Sequence, residues 1–171
     1  TLDRSSAASD VYKRQLGSND EDVYIEKYIQ PNRVTYIHAK KPRQAILELI
    51  QLMKPAGINV DLEEFFAAVM EREKIVSTAI GVGVAIPHAK LESYKDFFIL
   101  LGVQKEPGIS WSALDGNPVR IVFLIGGPAS RQKEYLQILS KITFIIKEEE
   151  NRRKILKAGS LEEIAGVFKN F

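Results

Sequence analysis

Two unbroken apolar runs, FFILLGV at 97–103 within DFFILLGVQ and IVFLIGG at 121–127 within PVRIVFLIGG, constrain the fold more than any other feature of this sequence. A strand with one wet face alternates polar and apolar residues, whereas these runs leave no polar face and must be covered on both sides. They are rich in β-branched and aromatic residues and fall far below the roughly 18 apolar residues of a membrane-spanning helix. Buried strands therefore require layers of helix above and below them, and the flanking sequence supplies those helices.

Asp22 to Ile29 is a short amphipathic stretch, and Pro31-Asn32 marks a turn. VTYIHA then reads as a strand with Val34, Tyr36 and His38 on one face. Pro42 opens a helix in which Ala45, Ile46, Leu49, Ile50 and Met53 recur at helical spacing, and KPAGIN at 54–59 ends it. Asp61 is the expected N-cap of a second helix, LEEFFAAVMERE, with Leu62, Phe65, Phe66 and Val69 as its apolar positions. Turns are expected at Pro107-Gly108 and Asp115-Gly116. From Ser130 the pattern becomes helical, with Leu136, Leu139, Ile142 and Ile146 on one broad face. The charged run KEEENRRK at 147–154 leads into ILKAG and a last helix from Ser160. The order β, α, α, β, β, α, α describes an α/β domain, a mixed β-sheet flanked by helices.

With 171 residues and 45% apolar composition, one domain with a sizeable core is expected. Lys and Arg outnumber Asp and Glu by 24 to 22 with the signs interspersed. That balance excludes the basic field that holds nucleic acid, and no segment suits membrane insertion. Cysteine is absent, which removes disulfides, thiolate metal sites and thiol nucleophiles. No secretory signal is evident, so the cytoplasm is the expected compartment. Residues 1–15, TLDRSSAASDVYKRQ, have no periodicity and read as a non-native or disordered tail. The domain is placed at residues 22–171.

The candidate chemistry lies in STAIGVGVAIPHAK, residues 77–90. Its glycines are not a P-loop, since Gly-Lys-Ser/Thr is missing, nor a dinucleotide fingerprint, since the third glycine is missing. Gly81 and Gly83 read as a tight loop needing positive φ or a close backbone approach. His88 is one of two histidines, and a lone histidine is more often a surface or core residue than a chemical group. Its neutral imidazole is nevertheless a nucleophile near pH 7, presented here by a proline-restricted backbone. Upstream, Arg72 supplies a planar donor fork suited to phosphate, although a solvated helix-end cation is the commoner fate of such a residue.

REKIVSTAIGVGVAIPHAK, residues 72–90, resembles the signature of the type 2 enzyme IIA domains of the bacterial phosphoenolpyruvate-dependent phosphotransferase system, the fructose, mannitol and nitrogen-regulatory group. The resemblance continues through ISWSALDGNPVRIVFLIGGPA and into KEYLQILSKI. It implies a phosphocarrier in which His88 accepts a phosphoryl group from the carrier protein HPr. The group then passes to an enzyme IIB on a separate chain, or serves as a regulatory signal to a protein target. It implies that Arg72, Thr78 and loop N–H groups stabilise the transferring phosphoryl group, with no metal and no cofactor. The histidine of the family is usually modified on Nε2. Where the family has a second active-site histidine, this chain has Tyr135, a phenol that can donate a hydrogen bond but stays neutral near pH 7. Val76 and Ala79 stand where glycines are common, and His38 has no counterpart role. The alternative is a nitrogen-type regulatory or degenerate binding module with little phosphoryl turnover.

Overall fold

The structure is a computed structural model that describes residues 23–171. The tail assigned to 1–15 and the first residue of the amphipathic stretch, Asp22, lie outside the described residues. The two apolar runs form the centre of a mixed sheet. Strand β5 (Phe98–Val103) pairs antiparallel with β6 (Ile121–Pro128), from Phe98 opposite Gly126 to Val103 opposite Ile121, and every residue of both is buried. Strand β1 (Val34–Tyr36) runs parallel to β5. The other edge of β6 takes β3 (Val84–Ala85) and then β4 (His88–Leu91), both parallel to it, and β2 (Ala79–Gly81) closes antiparallel on β3.

The period of two along β5 and β6 sorts their side chains into two separate cores. Ile99, Leu101, Phe123 and Ile125 pack under helices α3 (Gln132–Lys147), α4 (Glu149–Lys157) and α5 (Leu161–Gly166). Leu100, Val122 and Leu124 face the other way, against α1 (Pro42–Ile50) and α2 (Leu62–Ile75). Asp61 caps α2 as expected, its Oδ1 accepting from Glu64 N–H at 3.0 Å. Pro42 occupies the first turn of α1.

Three sequence expectations need correction. The strand read from VTYIHA stops at Tyr36, because the carboxylate of Glu48 on α1 takes the N–H groups of His38 and Ala39 at 2.9 and 2.7 Å. His38 is exposed there and does not share a strand face with Val34 and Tyr36. The buried face of α3 is Tyr135, Ile138, Ile142, Ile145 and Ile146, rotated from the expected stripe, so that Leu136 is 42% exposed. The charged run after α3 is itself helical: α4 begins at Glu149 and anchors on Ile155. Gly81 and Gly83 form the expected tight loop, and the segment around it forms three short strands over residues 79–91.

Candidate functional site

The three short strands explain how His88 is presented. After β3 the ladder along β6 is interrupted at Ile86-Pro87, since Pro87 has no N–H to give, and it resumes with His88 opposite Ile125. The interruption frees the carbonyl of Ile86, which faces the ring of His88 two residues on, with Nδ1 at 2.9 Å. A carbonyl only accepts, so Nδ1 carries the proton and Nε2 keeps its lone pair. Burial lowers the His88 pKa from its ordinary value; the bond to Ile86 opposes this, while the positive charges of Arg72 and Lys90 add to the depression. The resting imidazole is neutral, with Nε2 unprotonated.

The loop ahead of it is backbone-strained. Gly81, Val82 and Gly83 all have positive φ, at 91°, 52° and 76°. A β-branched residue in the left-handed region costs on the order of 1–3 kcal/mol and persists only where its neighbours hold it. Here Asp115 does so, accepting the Val82 N–H at 2.8 Å. Its carboxyl is held below the usual range by the N–H groups of Val82 and Asn117.

Arg72 lies in the last turn of α2, its Nη1 donating to the Val76 carbonyl at 2.9 Å. Its charge acts on both His88 and Tyr135, so the guanidinium, the imidazole and the phenol share one locale. Tyr135, in the first turn of α3, is 4% exposed and its ring centroid lies 5.4 Å from that of His88. Burial pushes its hydroxyl up to about 12, so it is neutral at pH 7. Phe97 stacks on the Tyr135 ring, with centroids 6.3 Å apart and planes 16° from parallel. Among the described residues the Tyr135 hydroxyl has no hydrogen-bond partner.

Thr78 is buried, and its hydroxyl donates to Glu73 Oε2 at 2.6 Å while its N–H donates to Glu73 Oε1 at 3.0 Å. Glu73 Oε1 also accepts from Trp111 Nε1 at 2.7 Å. The Thr78 carbonyl in turn accepts the Ile86 N–H at 3.0 Å. A continuous chain therefore runs from Glu73 through Thr78 and Ile86 to the His88 ring. The Thr78 hydrogen is committed to a carboxylate, so the resting residue buttresses the loop.

Two residues given no role in the sequence reading belong to this locale. Glu73 was visible only as half of an Arg-Glu pair. Lys90 follows His88 by two residues and so shares its strand face. Lys90 Nζ sits 4.2 Å above the Tyr135 ring centroid and donates to Gln132 Oε1 at 2.5 Å, and burial lowers its pKa. The signal that would have found it was HAKL read as a strand. Around the site, Ile75, Val76, Ile80, Val82 and Leu114 are exposed apolar residues on the segments that carry Arg72, the glycine loop and Asp115.

The profile of the family described as "Phosphoenolpyruvate-dependent sugar phosphotransferase system, EIIA 2" matches residues 27–171. The chain belongs to that EIIA family. Among curated relatives, this EIIA chain is 33% identical over 131 residues to the fructose-specific EIIABC component of Bacillus subtilis, covering 77% of this chain but only 20% of that much longer protein. It is 32% identical over 145 residues to the mannitol-specific phosphotransferase enzyme IIA component of Staphylococcus aureus, covering 84% of this chain and 95% of that one. Solved structures share the fold. Nitrogen regulatory protein IIA-Ntr from Neisseria meningitidis superposes with a TM-score of 0.77 at 24% identity, covering 85% of this chain and 99% of that one. Enzyme IIA mannitol of Escherichia coli, solved in complex with phosphorylated enzyme IIB mannitol, gives 0.67 at 18% identity, covering 80% and 94%. The mixed sheet with flanking helices is thus the EIIA type 2 architecture, and the protein is a phosphotransferase-system component of the phosphocarrier or regulatory kind. Among the described residues no helix is long and apolar enough to cross a membrane.

Proposed function

We propose that residues 22–171 form a phosphocarrier domain in which His88 Nε2 is the phosphoryl acceptor. The observation that carries this is the Nδ1 contact to the Ile86 carbonyl, which leaves Nε2 as an unprotonated lone pair beside two cations. In the step, the Nε2 lone pair attacks the phosphorus of phospho-HPr; the new Nε2–P bond forms as the P–N bond to the donor histidine breaks, its electron pair returning to that imidazole. Such transfer needs positioning and charge stabilisation on the equatorial oxygens. Arg72 supplies a fixed donor fork, and the Tyr135 hydroxyl supplies a neutral donor without a competing protein partner.

Lys90 answers the charge that a phenol lacks. Its ammonium above the Tyr135 ring puts a cation on the strand face of His88, which favours transfer competence over a degenerate module. The exposed apolar residues from Ile75 to Val82, with Leu114, give HPr and the onward partner a surface to dock on around the same histidine. That onward partner is an enzyme IIB, by analogy with the mannitol complex, or a regulatory protein target, in the cytoplasm. Incubation with phosphoenolpyruvate, enzyme I and HPr tests the reading: one acid-labile phosphoryl group per chain is expected on the wild type and none on His88→Ala. An unlabelled wild type would overturn it.

A further inference from the structure

Lys90 occupies a costly place for a lysine. In β4 it follows His88 by two residues, so both side chains leave the same face of the strand. It is half-buried, burial alone lowers its pKa, and among the described residues no carboxylate pairs with it. An ammonium drawn partly out of water without a counter-ion is unfavourable unless other groups replace its hydration. Two groups do so here. Gln132 Oε1 accepts one of its N–H bonds at 2.5 Å, and Nζ stands over the Tyr135 ring, 4.2 Å from the centroid. The negative face of an aromatic ring attracts a cation, and the attraction grows as water is excluded.

The ring is itself braced. Phe97, 5% exposed, stacks on Tyr135 with the planes 16° from parallel. Phe97 cannot recede, because its own ring lies so close to the β6 backbone that a Cβ at Gly127 would sit 2.0 Å from Phe97 Cδ1. The Arg131 guanidinium lies over Phe97, 5.8 Å from its centroid. Tyr135 therefore has little freedom to tilt, and the ammonium above it has a fixed seat. Of the three N–H groups of an ammonium, Gln132 takes one, and the ring face offers charge stabilisation without a lone-pair acceptor. Donor capacity is left over, and the Lys90 charge already reaches the His88 ring. A cation held on the strand face of a nucleophile, with donors to spare and no carboxylate to release, is arranged for an incoming anion.

We propose that Lys90 is a catalytic residue of the phosphoryl step, donating from Nζ to an oxygen of the transferring group, and that the Tyr135 ring, with Phe97 as its positioning residue, is the seat that holds the ammonium there. Tyr135 acts through its ring face as well as its hydroxyl. The inference rests on the carrier reading of His88 and adds no covalent step, since no bond to Lys90 forms or breaks. Rapid-quench transfer from phospho-HPr over a range of donor concentrations separates the limiting rate from half-saturation. Lys90→Met keeps the stem and deletes the charge; it should lower the limiting rate by about 10²-fold and leave half-saturation within about twofold. Lys90→Arg, which restores a cation able to lie on the ring, should stay within about tenfold of wild type. Phe97→Leu should slow transfer about fivefold, and should lose most of that effect in the Lys90→Met background, as a merely structural role would not. Proton NMR reads the seat without turnover: the Lys90 ε-methylene should lie upfield of its ordinary position in wild type and in Tyr135→Phe, which keeps the ring, and return to that position in Tyr135→Leu. A Lys90→Met rate within about threefold of wild type would overturn the proposal, as would equal rates in Lys90→Arg and Lys90→Met or an unshifted ε-methylene in wild type. If wild type takes no phosphoryl group, the carrier reading fails and this inference with it. If wild type is labelled on His88 and Lys90→Met transfers at full rate, this inference fails alone.

Discussion

Glu73 is the sharpest place to perturb the site without touching the proposed nucleophile. Its carboxylate accepts three hydrogen bonds, from Trp111 Nε1, Thr78 N–H and the Thr78 hydroxyl, and both donors' residues are buried. Glu73→Ala removes both acceptor oxygens at once and leaves two buried N–H groups and a hydroxyl unmet. Hydrogen bonds to a charged acceptor are worth about 1.5–3 kcal/mol each, and water entering the half-exposed space recovers part of that, so about 3 kcal/mol of stability should be lost. For a domain of this size that lowers Tm by about 6–12 °C. Glu73→Gln keeps one oxygen for the two N–H donors, and its amide can donate to the turned Thr78 hydroxyl, so about 1 kcal/mol is expected. The assay is urea unfolding followed by circular dichroism and by fluorescence of Trp111, the only tryptophan. A cycle of Glu73→Gln with Thr78→Val should show a coupling of at least about 0.5 kcal/mol. A loss below about 0.5 kcal/mol in Glu73→Ala would show that these three bonds do not hold the segment.

Three further outcomes follow from the same geometry. Because burial lowers the folded pKa of His88, the unfolded chain binds that proton more readily; its contribution to stability is full above the unfolded value near 6.5 and is lost as pH falls through the folded value. An NMR titration should place the His88 midpoint below 6.5, and His88→Gln should lose this part of the acid dependence; a midpoint above the ordinary histidine value would contradict it. Gly127→Ala should cost at least about 1–3 kcal/mol, read as a lower urea midpoint, because its Cβ would sit 2.0 Å from Phe97 Cδ1 within the packed sheet. Arg72→Lys should slow transfer from phospho-HPr by about 10²-fold while leaving the fold intact, and Tyr135→Phe should slow it less, by about tenfold, as one neutral donor is lost.

Much of the fold was legible because its signals are long. The doubly buried runs at 97–103 and 121–127 could be nothing but central strands, and the Asp61 cap and Pro42 start acted as local chemistry says they should. The short strands at 79–91 were hidden because two to four residues are too few to show a period, and because β3 and β4 take their places from β6, 37 residues on in register. The α3 stripe was misread since Tyr135, an amphipathic residue, is buried by its contacts with Phe97 and His88, which no periodicity reveals. At the candidate site, His88 and Arg72 stand out in the sequence through the motif that contains them. The same motif gave Thr78 a direct part, whereas in the resting structure its hydroxyl serves Glu73. Lys90 was missed because its meaning depends on a strand and on a phenol 45 residues away.

Nδ1 of His88 is held by the Ile86 carbonyl, and on the proposed function Nε2 takes the phosphoryl group. Phosphorus and nitrogen NMR of the chain, labelled at histidine nitrogen and phosphorylated by phosphoenolpyruvate, enzyme I and HPr, reads this directly. A single phosphohistidine coupled to Nε2, with Nδ1 still protonated, is the expected result. A phosphoryl group on Nδ1, or one that persists in His88→Ala, would contradict it.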